Sequence, residues 1–168
     1  MKKLLVTLLL LAFSYNLSAG EIVGFWKTVN EKTKQTESII AVYEFQNQYY
    51  GRIILTYDHD TGNFFDTMDN PISRAPGVIG NPFYSGMDII WNLQRKGDRF
   101  THGRILDPEH GRIYDAELWN DRGNLIVRGK LFFFGRNQTW PPAEDTDFPP
   151  DFKQPDLTKF VPVIPKVK

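Results

Sequence analysis

The sequence predicts an all-β protein, built as a closed antiparallel barrel or a sandwich of about eight short strands. Three observations carry this. Helical periodicity is hard to find after residue 20, while short alternating runs of apolar and polar residues recur. The chain holds thirteen Phe, seven Tyr and four Trp in 168 residues, types that suit pleated surfaces and cavity linings. The runs are joined by tight links rich in Gly, Asn and Asp. A barrel is the preferred form, because closure removes edges that so hydrophobic a sheet could not safely expose.

Residues 1–20 precede that fold. Lys2 and Lys3 lead into an apolar run at 4–13, and the segment closes on Ser18-Ala19-Gly20. This is the pattern of a secretory signal peptide. The run falls well short of the roughly twenty apolar residues that span a bilayer. Cleavage after Ala19 or Gly20 would leave an exported chain, periplasmic or secreted, starting near Glu21. The sequence has no cysteine, which excludes a lipoprotein anchor, disulfides, thiolate chemistry and Cys-ligated metal. Twenty basic residues balance twenty acidic ones, so nothing marks a nucleic-acid partner.

The strands follow in order. Residues 23–29 read as the first, 38–45 and 49–57 as the second and third. If Gln46-Asn47-Gln48 forms a three-residue hairpin loop, Phe45 faces Tyr49, Tyr43 faces Gly51 and Ile39 faces Leu55. One face of this pair is then apolar or aromatic and turned to the core. Residues 58–85, rich in Gly, Pro, Asn and Asp, read as an irregular insertion. Strands resume at 87–93, 99–106, 112–119 and 124–134. Seven prolines in the last 28 residues argue for an extended tail instead of a further ladder strand. The organisation expected is a signal at 1–20, a barrel at 21–141 and a Pro-rich tail at 142–168.

Residues 107–119, DPEHGRIYDAELW, concentrate four carboxylates and a histidine. Asp-Pro-x-x-Gly is good turn chemistry, leaving Glu109 and His110 at an exposed tip. With 120–123 as a four-residue loop, Asp115 and Glu117 fall beside Arg128 and Lys130 as cross-strand ion pairs on a wet face, each worth a few tenths of a kcal/mol. A glycosidase would need two carboxyls about 5–10 Å apart across a cleft. The stretch is therefore read as a hairpin, and the protein as a non-enzyme. Asp58 to Asn63 lacks calcium-loop spacing, the three histidines are too scattered for zinc, and no serine sits on a nucleophile elbow. Neither metal nor cofactor is expected.

Gly24-Phe25-Trp26 opens the first strand and Gly135-Arg136 follows the last. The arrangement resembles lipocalins and other calycins, where a Gly-x-Trp tryptophan closes the barrel floor under an arginine from the final strand. That resemblance implies Trp26 and Arg136 as a barrel-closing pair, worth about 0.5–2 kcal/mol as a cation–π contact. A longer series runs Gly24-x-Trp26-Lys27-Thr28, Tyr50-Gly51-Arg52-Ile53, Asp69-Asn70-Pro71, Gly103-Arg104-Ile105-x-Asp107-Pro108-Glu109-x-Gly111-x-x-Tyr114 and Gly135-Arg136-x-Gln138-x-Trp140. It resembles a bacterial domain-of-unknown-function family (family 2147) of small exported proteins with a calycin-like barrel. Family members often carry Thr-Arg after the last tryptophan, where Pro141-Pro142 stand here. The resemblance implies a fold and no established enzymatic activity.

The leading functional expectation is an exported carrier or sensor of a small, largely apolar molecule such as a fatty acid or lipid. Its expected lining is Ile39, Tyr43, Phe45 and Tyr49. A five-residue DPEHG loop would add Arg104 and Tyr114, with Arg104 taking a carboxylate. The alternative is an envelope or host-facing interaction module with a filled barrel, meeting a protein partner through the tail. Neither is expected to span a membrane.

Overall fold

The computed structural model describes residues 21–131 and 134–167; the predicted signal at 1–20 lies outside them. Nine strands form one antiparallel sheet: β1 (Gly24–Val29), β2 (Thr36–Phe45), β3 (Gln48–Tyr57), β4 (Phe64–Thr67), β5 (Asp88–Lys96), β6 (Arg99–Asp107), β7 (Arg112–Asp121), β8 (Asn124–Leu131) and β9 (Phe134–Trp140). Eight of them follow the path β1-β2-β3-β5-β6-β7-β8-β9, and β4 pairs only with β3. The sheet curls into a nearly closed barrel, as predicted. The run read as one strand at 124–134 is in fact the whole of β8 and the start of β9. The motif residues 135–140 belong to a strand of their own.

Closure comes from just beyond β9. Lys27 N–H donates to the Pro141 carbonyl and Ala143 N–H to the Phe25 carbonyl, both at 2.9 Å, with Trp26 opposite Pro142. Two prolines were expected to exclude a ladder here. They do not, because Pro141 contributes only its carbonyl, and the donor on that side is Ala143. Among the described residues no further ladder joins β1 and β9. The seam opens instead into a cleft of about 220 Å³ lined by Val29, Glu31, Lys34 and Asn137 to Thr139.

The hairpins are tighter than their sequences suggested. Gln46 and Asn47, at φ 50° and 62°, make a two-residue turn that sets Phe45 opposite Gln48 and Tyr43 opposite Tyr50. Arg122 and Gly123, at φ 52° and 84°, make another that sets Leu118 opposite Val127.

In β2 the run Ile39 to Tyr43 is buried on both faces. One face looks into the barrel and the other lies under the C-terminal tail. Phe148 meets Phe25 edge-on at 5.7 Å, and Phe160 meets Tyr43 at 5.0 Å. The insertion is tied down by buried Asp66. Its carboxylate accepts from the Thr56, Ser73 and Ser85 hydroxyls and from the Ile72 and Ser73 amides, at 2.5 to 3.0 Å. Gly77 lies flat on the 107–111 turn, so close that a β-carbon there would fall 2.3 Å from the Gly111 nitrogen.

Candidate functional site

The barrel has two unlike ends. At the end carrying the β2–β3, β5–β6 and β7–β8 turns, the interior is filled. Tyr49 packs edge-on against Phe100 at 4.7 Å, and Trp26, Leu118, Leu125 and Trp140 are buried around them. The Trp26 indole N–H donates to the Ile22 carbonyl at 2.8 Å, fixing the floor. A β-carbon on Gly103 would sit 2.5 Å from Leu93 Cγ, so no space remains at that level.

Towards the opposite end the filling thins on the β8–β9 side. Gly103, Ala116, Gly129 and Arg136 stand in register across four strands, and directly paired residues share a face. Ile105 and Tyr114 pair in the next row out. A β-carbon on Gly129 would find only Ile105 Cγ2 and Tyr114 Cβ, both at 3.7 Å. Ile105, Tyr114 and Gly129 are half-buried although they face inward. The Arg136 side chain is 73% exposed and salt-bridged to the Glu31 carboxylate across the seam. Solvent therefore reaches the inner wall at this end, where Arg136 is held by a carboxylate from the β1–β2 connection.

Register decides where the expected lining residues lie. Tyr114 is on the inner wall at the open end, and Tyr49 is on the inner face of the floor. Ile39, Tyr43 and Phe45 are not inside. The two-residue turn shifts the β2–β3 pairing by one, which sends them to the face under the tail. Arg104 is corrected in the same way. Asp107 pairs with Arg112, so Arg104 stands opposite Asp115 and salt-bridges to it at 2.7 Å on the outer surface. The proposed closing pair is also absent. Pro142, six residues beyond Arg136, is what faces Trp26, which puts Arg136 about 20 Å along the sheet.

The carboxylate-rich stretch is a turn and a wet strand face. Asp107 accepts the Glu109 and His110 amides at 3.1 Å. Glu117 takes a short contact from Lys130 and a 3.1 Å bond from Arg99. The Lys130 hydrogen bond is the main reason its carboxyl titrates below the usual range.

A buried polar cluster escaped the sequence reading. Arg52 Nε donates to Asp88 Oδ1 at 2.9 Å, and the Tyr43 hydroxyl donates to Asp88 Oδ2 at 2.8 Å. Burial, then the Asp88 carboxylate, push the Tyr43 phenol far above its ordinary value. The available signal was Asp88 itself, a lone acid at the head of the apolar run Ile89-Ile90-Trp91. Val161 and Val163 of the tail complete its hydrogen bonds, so the tail's Phe148 and Phe160 are wall components and not free side chains.

No helix among the described residues is long and apolar enough to cross a membrane. Residues 24–141 match the family model described as an uncharacterized protein conserved in bacteria (DUF2147). No curated protein matches the chain. Among solved structures, protein HP1028 from the human pathogen Helicobacter pylori, described as belonging to the lipocalin family, is similar with a TM-score of 0.59 at 15% identity. The match covers 76% of this chain and 86% of that one, which shows a shared fold.

Proposed function

The chain belongs to the DUF2147 family of bacterial proteins, and we propose that it is an exported, lipocalin-like binding protein for a small, largely apolar molecule with an acidic head. The observation that carries this is the one-ended interior, sealed at Trp26 and Phe100 and open to solvent at Tyr114, Gly129 and Arg136. An eight-stranded barrel encloses at most one modest ligand, and here the floor already takes the lower half. A medium-length acyl chain would lie along Ile105, Tyr114 and Gly129. Its carboxylate would take Glu31's place on Arg136, so that the internal ion pair stands in for the ligand's head group. The exposed carboxylates serve as turn caps and ion-pair partners, so binding, not hydrolysis, is the reading they support.

Titration with dodecanoate and dodecanol tests it. An ion pair at an exposed arginine is worth up to about 1 kcal/mol, so Arg136→Ala should weaken dodecanoate by up to roughly five-fold and leave dodecanol unchanged. Failure of both molecules to bind the unmodified protein would overturn the reading.

A further inference from the structure

A bulge in β6 accompanies a charged cleft on the outer face of the barrel. Phe100 pairs with Leu118 and Gly103 with Ala116, so Thr101 and His102 together stand against the single residue Glu117. His102 is held at φ 61°, a left-handed conformation uncommon for a residue with a side chain. The Thr101 hydroxyl meets its Nδ1 at 2.8 Å, so Nε2 is the ring nitrogen available to a ligand. The cleft measures about 380 Å³, and its lining includes Thr101, His102, Arg104, Asp115, Glu117 and Lys130.

The charges on this face do not balance. Three outward rows cross β6, β7 and β8: Arg99–Trp119–Ile126, then Thr101 and His102 with Glu117 and Arg128, then Arg104–Asp115–Lys130. They hold four cations, Arg99, Arg104, Arg128 and Lys130, against two carboxylates. Glu117 serves Arg99, at 3.1 Å, and Lys130 at once, while Arg104 Nη1 meets Asp115 at 2.7 Å. Arg128 Nε is buried and has no hydrogen-bond partner among the described residues. Gly135 makes room for it, since a β-carbon there would fall 2.5 Å from that nitrogen. Gly135 is itself the partner of Lys130, so the Arg128 guanidinium lies next to the lysine's row. A buried donor of this kind calls for an acceptor, and Lys130 and Arg104 keep donors that their carboxylates do not use.

From this we propose that the β6–β8 cleft is a second binding site and that it takes a phosphate monoester. The excess of two positive charges matches such a group, which carries about −1.5 to −2 near neutral pH, whereas a carboxylate or a sulfate ester brings only one. Its three terminal oxygens can be met by Arg104 from one side of β7 and by Lys130 and Arg128 from the other. A guanidinium fork suits two oxygens of one phosphate. Soluble phosphosugars and phosphatidic acid headgroups both carry this group. The cleft is on the outer face, so the inference stands apart from any ligand at the open end.

Two measurements on the full chain test it: calorimetric titration with glucose 6-phosphate, and co-sedimentation with phosphatidylcholine vesicles with and without phosphatidic acid. Binding of the sugar phosphate supports the site and points to a soluble ester; binding confined to the phosphatidic acid vesicles supports it and points to a headgroup. Arg128→Gln and Arg104→Ala should each weaken that binding roughly five-fold, the effect of one ion pair of about 1 kcal/mol, and leave dodecanoate binding unchanged. Glucose 6-sulfate, with one charge fewer, should bind several-fold more weakly than the phosphate. Failure of the parent to bind either probe would overturn the proposal. So would unchanged binding in both variants while their β-sheet spectra stay native. If Arg128→Gln does not fold, Arg104→Ala, at an exposed pair, decides alone.

Discussion

Arg136 stands opposite Gly129 on the inner wall of the barrel and reaches Glu31 across the seam where, among the described residues, no ladder joins β1 and β9. The finding ties three scales together. The register of β8 and β9 turns the arginine inward, and the missing β1–β9 pairing leaves it accessible. Its carboxylate partner is exposed and lies on the β1–β2 connection, not in a strand. An exposed pair of this kind contributes about 0–1 kcal/mol, so it can be given up to a ligand at little cost in stability.

The inner wall should respond to added volume according to depth. Gly103→Ala places a methyl 2.5 Å from Leu93 Cγ and should cost about 1–3 kcal/mol in urea unfolding, by overpacking. Gly129→Leu enters the open region, where the nearest atoms to a β-carbon lie at 3.7 Å. It should leave the unfolding midpoint within about 0.5 kcal/mol of the parent and abolish dodecanoate binding. Equal destabilisation by both would mean that the open end is filled.

Arg52→Ala should be among the most damaging single changes. It strands the buried Asp88 carboxylate and also cuts the bond to the Val161 carbonyl. Breaking a buried pair costs about 3–5 kcal/mol, and the loss should appear as a lower urea midpoint together with faster proteolysis of the tail. Arg104→Ala, at an exposed pair, should change stability by less than about 0.5 kcal/mol.

Asp66 should govern acid stability. Burial raises the pKa of its carboxyl, but the Ser85 and Thr56 hydroxyls and the Ser73 and Ile72 amides outweigh that and hold it below the usual value. A carboxyl depressed in the folded state stabilises fully above its unfolded pKa, near 3.9, and that contribution is lost as pH falls through the folded value. The parent protein should therefore lose stability below about pH 4 more steeply than Asp66→Asn, measured by urea titrations from pH 6 to 2. Parallel profiles would remove Asp66 from the account.

Tyr57 should do the reverse at alkaline pH. Burial, followed by the nearby Asp147 charge, pushes its phenol up to about 12, and its hydroxyl donates to the Asp147 carbonyl at 2.5 Å. The folded state then holds a proton that the unfolded state releases near pH 10. Stability should fall as pH rises from about 10 to 12. Tyr57→Phe should flatten that fall, with the phenolate absorbance near 295 nm losing its component near pH 12.

The barrel itself was legible because its signal is collective. Alternation, aromatic load and turn residues agree over the whole chain, and an error in one hairpin does not change the class. The site was less legible, and the size of each register error explains why. At 120–123 the sequence suits a four-residue loop, whereas two residues make the turn. That slip of two leaves Tyr114, Ala116 and Leu118 on their expected face. At 46–48 and 107–111 the slip is one, which inverts Ile39, Tyr43, Phe45 and Arg104. No glycine marks the first of these turns, since Gln46 and Asn47 both take positive φ. Ile39 to Tyr43 did carry a warning. Five consecutive apolar residues suit a strand buried on both faces, and the second face proved to belong to the tail.

Amide chemical-shift mapping during a dodecanoate titration tests the one-ended barrel most directly. Shifts are expected at Ile105, Tyr114, Gly129, Arg136 and Glu31, with Trp26, Phe100 and Leu118 unmoved. Shifts centred on the floor residues, or only on the outer face around Arg104 and Asp115, would contradict it.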